Sequence, residues 1–100
     1  SGAAGIRSPE VSSDRTVTFR LRAPKATHVA VTGISRQPIP MQKNSEGIWS
    51  ATTEPLKPDL YEYAFVVDGL SIVDPANTRF RPAYGRVRGS AVLVPGDMAW

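Results

Sequence analysis

The chain contains no cysteine, one histidine and no long uninterrupted apolar run. Without cysteine it has neither a disulfide framework nor a thiolate metal site. One histidine leaves no histidine cluster to hold a metal or share protons. No window approaches the ~18 apolar residues that a membrane-spanning helix requires. Sustained 3.6-residue periodicity is also missing, which speaks against a helical architecture.

What is present is a short, turn-rich chain. One hundred residues make one domain. Nine prolines and eight glycines punctuate a composition that is 41% hydrophobic and 21% charged. That balance is an ordinary globular one with many turns. Ser1-Gly2-Ala3-Ala4-Gly5 reads as a processed end or a cloning remnant, and residues 1–8 are expected to be disordered or carried over from cloning. The domain is expected over 9–97, and 98–100 as the start of a linker to a C-terminal catalytic domain.

Alternation of period two dominates. Val17, Phe19 and Leu21 face one way, and Thr16, Thr18, Arg20 and Arg22 the other. That is a half-buried antiparallel strand, ended at Ala23-Pro24. A short edge strand is expected near Pro9–Ser12, with others over 28–32, 39–42 and 48–53. The strongest covers 60–67, turns at Asp68-Gly69 into 70–73, and a last one covers 91–94. Residues 74–89 read as a long irregular segment. Seven or eight short strands at such intervals predict an all-β, immunoglobulin-like antiparallel sandwich.

No catalytic constellation stands in the sequence. His28 stands alone on the outward side of a strand, a poor place for a base or metal ligand. Gly33-Ile34-Ser35-Arg36-Gln37 begins like the G-x-S-x-G nucleophile elbow, but Gln37 fills the final glycine position and no strand-to-helix turn surrounds it. There is no glycine-rich phosphate loop, and the acids show no metal-ligand spacing. Asp59, Asp68 and Asp74 sit beside turns and are expected to hydrogen-bond local backbone N–H groups. The chain therefore reads as non-catalytic, with no cofactor or metal.

The aromatics divide into two sets. Tyr61, Tyr63 and Phe65 recur at period two and read as core, and Trp49 as core or half-buried. Leu56 to Tyr63 resembles a tyrosine corner, in which one hydroxyl ties back to upstream backbone. Phe80, Tyr84 and Trp100 lie outside the expected strands and are candidates for contact with something else. The net charge is only +3, yet nine of the twelve basic residues are arginine, and Arg79, Arg81, Arg86 and Arg88 fall close together. Such a cluster suits phosphates, an acidic protein face or an acidic sugar; as a solvated or domain-docking loop it needs none of these.

Val17-Thr18-Phe19-Arg20-Leu21-Arg22-Ala23-Pro24, Val29-Ala30-Val31-Thr32-Gly33, Gly47-Ile48-Trp49-Ser50 and Leu60 to Gly69 follow one another in order. With Asp74-Pro75-Ala76-Asn77 and Val94-Pro95-Gly96-Asp97 they resemble family 48 carbohydrate-binding modules. More narrowly, they resemble the N-terminal module of bacterial feruloyl and acetyl xylan esterases of carbohydrate esterase family 1. The resemblance implies an early-set immunoglobulin-like fold in a secreted, extracellular or periplasmic, bacterial protein of plant cell-wall breakdown. Its implied partner is an α/β-hydrolase esterase domain following in the same chain, against which the module lies, walling off part of the substrate cleft. Starch- and glycogen-binding members carry a tryptophan after the Asp-Gly turn and a lysine in the preceding strand. Those positions hold Ser71 and Ala64 here, which removes the α-glucan stacking site.

The sites expected to meet a ligand or the neighbouring domain are Arg36 and Gln37 in the 33–40 loop, and Arg79, Phe80, Arg81, Tyr84, Arg86 and Arg88 in the irregular segment. Loops on a rigid scaffold are where such contacts concentrate, and the planar arginine fork suits carboxylates and aromatic rings. Autonomous binding of xylan or another β-glycan is the second reading. Nucleic acid and membrane are not expected partners, since the aromatics do not interleave with the arginines on a strand face. In isolation the chain is expected to be a monomer.

Overall fold

The computed structural model describes residues 6–77, 80–83 and 86–96. Among these there is no helix, and ten strands form two antiparallel sheets. The strands are β1 (Glu10–Val11), β2 (Val17–Arg22), β3 (Val29–Thr32), β4 (Ile39–Pro40), β5 (Gln42–Lys43), β6 (Ile48–Thr52), β7 (Asp59–Val67), β8 (Leu70–Ile72), β9 (Phe80–Ala83) and β10 (Arg86–Val94). One sheet runs β1-β2-β6-β5; the other runs β4-β3-β7-β10-β9, with β8 also paired to β7. The all-β sandwich inferred from alternation is the fold, with ten strands in place of seven or eight.

The inward positions of both sheets close the core. Val17, Phe19 and Leu21 from β2 meet Val29, Val31, Tyr63, Phe65, Val92 and Val94 from the facing sheet, all buried. Phe19 packs on Tyr63 at a centroid distance of 4.7 Å, and Phe65 completes the trio at 6.3 Å and 5.9 Å. Trp49 is buried beside them and donates its indole N–H to the Ala23 carbonyl (2.9 Å). Tyr61 donates its hydroxyl to the Lys57 carbonyl (2.7 Å), the tie-back expected of a tyrosine corner.

Three expectations need correction. The strand expected over 39–42 is two strands in different sheets: β4 pairs with β3, β5 pairs with β6, and buried Met41 makes the crossing. Period-two reading missed this because a corner interrupts pairing without interrupting alternation. The segment 74–89, expected to be irregular, contains β9 and the first half of β10. Pro82 hid β9, because proline is compatible only with an edge strand, and β9 is one. The sandwich also begins before residue 9: Ser8 is buried, donates to an Asp74 carboxylate oxygen (2.6 Å) and accepts from the Arg20 amide (3.0 Å). The expected linker, 98–100, lies outside the described residues.

β7 is the central strand of its sheet, and one of its edges is shared. β10 pairs with residues 59–63, and β8 pairs with 65–67. The chain leaves β8 through the turn around Asp74, which sits where β8 and β10 meet along that edge, its amide bonded to the Ser90 hydroxyl. Asp68 (φ 49°) and Gly69 (φ 88°) form the tight β7–β8 hairpin, with the left-handed conformations that such a two-residue turn needs.

Candidate functional site

The outward face of the six-stranded sheet is the surface on which the family resemblance would place a ligand. Ala64 on β7 pairs with Thr32 on β3, and Val66 pairs with Ala30 and with Ser71 on β8. Ala64 and Ser71 therefore lie on one face, near each other. Neither is a ring or a cation. Stacking on a sugar needs an exposed aromatic face, and among the described side chains the aromatic ones are Phe19, Trp49, Tyr61, Tyr63 and Phe65, of which only Tyr61 escapes full burial. Among the described residues, no stacking ring stands at Ala64 or Ser71 on this face.

The 33–37 bend borders this face. Gly33 (φ +94°) sits directly against the Glu62 carbonyl and the Tyr63 backbone, so a Cβ there would collide with both. Only glycine lets β3 turn so sharply over β7. Beyond it Arg36 and Gln37 are exposed, and Ser35 donates its hydroxyl to the Gln37 carbonyl (2.9 Å), holding the bend.

Phe80 and Arg81 fall on β9, and Arg86 and Arg88 on β10. β10 pairs with β7 only from Ser90 onward; its residues 86–87 pair with Ala83 and Pro82 of β9, and the register shifts between Val87 and Ser90. Phe80 pairs with Ser90 at the root, and Arg81, Arg86 and Arg88 belong to the two-stranded arm that β9 and β10 form beyond it. Arg79 and Tyr84 lie outside the described residues. Arg36 and Gln37 follow β3, across β7 from the arm, so the expected site residues form two groups with the central strand between them.

A polar cluster that alternation could not reveal fixes the root of the arm. Asp74 is buried, with 1% of its surface exposed. One carboxylate oxygen accepts the Ser8 (2.6 Å) and Tyr63 (2.7 Å) hydroxyls, and the other accepts the Ala76 amide (2.9 Å). Its own amide donates to the Ser90 hydroxyl (2.8 Å). Asn77 donates its side-chain amide to the Tyr63 hydroxyl (3.0 Å) and to the Ala91 carbonyl (2.9 Å). Burial, then the Asp74 hydrogen bond and charge, push the Tyr63 phenol above its ordinary value. The Asp-Pro-Ala-Asn sequence signals the local turn bond from Ala76; Ser8 and Tyr63 are far away in sequence, and no spacing rule marks them. Asp68 departs from expectation in the same way: its carboxylate takes the Thr27 (3.0 Å) and His28 (2.7 Å) amides, which lead into the neighbouring strand β3. Asp59 does bond locally, to Leu60 (2.7 Å).

Among the described residues no group of histidine and acidic side chains could hold a metal ion. His28 is exposed, just ahead of β3. A hollow of about 270 Å³ opens beside it, lined by Thr27, Pro40, Met41, Trp49, Val66 and Gly69 among others. Lys43 lies over the Trp49 ring at 5.7 Å.

Two antiparallel sheets packed face to face, one of them flanked by loops, make a sandwich of the immunoglobulin-like kind. The chain belongs to the carbohydrate-binding module 48 family (isoamylase N-terminal domain), whose model matches residues 7–82. Members of that family are non-catalytic modules. The chain is 33% identical over 79 residues to an endo-1,4-beta-xylanase/feruloyl esterase of Xylanibacter ruminicola, a match covering 76% of this chain and 11% of that protein. Among solved structures it is similar to a protein assigned as an alpha amylase of Salmonella typhimurium (TM-score 0.70, 28% identity, 92% of this chain, 15% of that one). It is also similar to PulA of Klebsiella oxytoca (TM-score 0.57, 27% identity, 77% and 9%). The chain thus spans a small fraction of each.

Proposed function

We propose that this module is a non-catalytic accessory domain of a secreted plant-polysaccharide esterase, docked on the hydrolase domain and helping to shape its substrate cleft. The observation that carries this reading is the pairing of a lost sugar platform, at Ala64 and Ser71, with a relative that joins xylanase and feruloyl esterase activities. A module that has given up its stacking groups keeps its fold for another use, and contact with a neighbouring domain is such a use. Arginines on the β9–β10 arm, and Arg36 with Gln37 at the bend, are the contacts. Their guanidinium groups suit carboxylates or the flat face of an aromatic ester. The setting is extracellular or periplasmic.

In the parent protein, replacing Arg79, Arg81, Arg86 and Arg88 together with serine is expected to lower turnover of polymeric substrate several-fold. Unchanged kinetics on both small and polymeric esters would overturn the reading.

A second reading, autonomous binding of xylan or another β-glycan, draws support from the hollow beside His28. Its volume, about 270 Å³, falls just under the ~300 Å³ at which small-molecule sites begin. It suits one ring at most. Titration of the domain with soluble xylan decides this reading, and no response at millimolar sugar ends it.

A further inference from the structure

The large apolar side chains exposed among the described residues are Leu60 (46%), Leu70 (68%), Val73 (41%) and Leu93 (48%). All four lie on the six-stranded sheet or at its margin. The outward face of the other sheet carries Glu10, Thr18, Arg20, Arg22, Ser50 and Thr52 instead, as a solvated face should.

Leu60 on β7 and Leu93 on β10 are direct cross-strand partners. They form one continuous patch rather than two scattered side chains, and scattered apolar residues alone would need no explanation. The patch sits at the far end of β7 from Ala64 and Ser71, so it is separate from the lost sugar platform. It also sits where the chain leaves the sandwich. β10 ends at Val94, opposite Asp59, one pair beyond the leucines. Gly96 then packs so closely on the Pro58 ring that a Cβ there would collide with it. The exit path is pinned along 58–60, beside the patch. Two proteins similar to this chain are far longer than the part it matches: it covers 11% of the xylanase/feruloyl esterase and 15% of the Salmonella protein.

We propose that the Leu60–Leu93 patch is the seat of the domain that follows Gly96 in the same polypeptide, which covers it with an apolar surface of its own. The proposal rests on the accessory-module reading and adds to it the face that is buried. The arginine arm and the 33–37 bend reach toward the cleft, and the leucine pair anchors the body of the module.

The test uses the parent polypeptide without substitution. Hydroxyl-radical labelling is measured at Leu60, Leu93 and Leu70, with small-angle scattering on the same sample. Leu60 and Leu93 are expected to label several-fold more slowly than Leu70 in a compact particle. Equal labelling in a compact particle overturns the patch while leaving domain docking intact. Scattering from two freely tumbling bodies overturns docking and patch together. Leu60→Thr with Leu93→Thr, which keeps strand-favouring residues, is expected to loosen the particle and expose the peptide after Gly96 to protease. Leu70→Thr is expected to do neither. A double variant that melts as wild type yet stays compact and resistant overturns the proposal.

Discussion

Tyr63 belongs to two interiors at once. Its ring lies in the aromatic trio with Phe19 and Phe65, where contact is apolar and any well-shaped neighbour serves. Its hydroxyl lies in the cluster of Asp74, Asn77 and Ser8, where each partner has a fixed place. The first interior holds two sheets together. The second decides where three separate pieces of chain meet: the N-terminal segment, the turn after β8 and the start of the β7–β10 ladder. Apolar burial supplies most of the driving force in a domain of this size, while the hydrogen-bonded cluster supplies position. Losing a partner there leaves buried polar groups unsatisfied, which costs more than the bond itself contributed.

The comparison can be broken at either end. Phe19→Ala should have the largest effect, about 3–5 kcal/mol, read as a fall in the urea midpoint. Against a typical total of ~5–15 kcal/mol, that leaves the domain barely folded. Asp74→Ala comes next, at about 2–3 kcal/mol, because two hydroxyls and one amide lose their acceptor. Its signature should be local: amides around 74–77 and 90–91 exchange faster, while the β2–β6 ladder stays protected. Uniform acceleration across both sheets would show that the two interiors are one cooperative unit.

Tyr63→Phe divides them most cleanly, since it keeps the ring and removes the hydroxyl. About 1 kcal/mol should be lost at neutral pH. The phenol is raised in the folded state, so its contribution is complete below its unfolded value near ~10 and is lost as pH climbs beyond that. The variant should therefore lose less stability than wild type between neutral and strongly alkaline pH. Glu10→Gln touches neither interior and should do least. Its bond to Arg20 (2.8 Å) is exposed, and Arg20 holds the carboxyl below its ordinary value. The neutral midpoint should fall only slightly, and the acid limb, where Glu10 takes up its proton, should become correspondingly shallower.

The apolar interior was legible in the sequence because alternation is a local property. Val17, Phe19 and Leu21, or Tyr63 and Phe65, mark the buried side of their strands by spacing alone, and the hairpin at Asp68-Gly69 needs only its two residues. The polar interior was legible only in its local half. Asp74 announces a turn, but its bond to Ser8 spans 66 positions and leaves no periodic trace. The candidate site shows the same divide. That Ala64 and Ser71 share one face could be read from the strand and hairpin that frame them. The arm carrying Arg81, Arg86 and Arg88 could not, because Pro82 and interleaved arginines suppress the strand signal, and its departure at Ser90 depends on β8 already occupying the rest of that edge of β7.

The crossing at Met41 has a mechanical meaning. Pro40 is paired into one sheet and Gln42 into the other, so the tie between them is two Cα steps, about 7 Å at full stretch. A tie that short has no slack to pay out. Shearing one sheet past the other must first strip the Met41 amide from the Val29 carbonyl, a bond of 2.8 Å, and lift a buried side chain out of the core. The two layers are thereby coupled like the faces of a riveted plate: a load taken up on the face that meets a neighbour is carried into the opposite sheet instead of parting the pair.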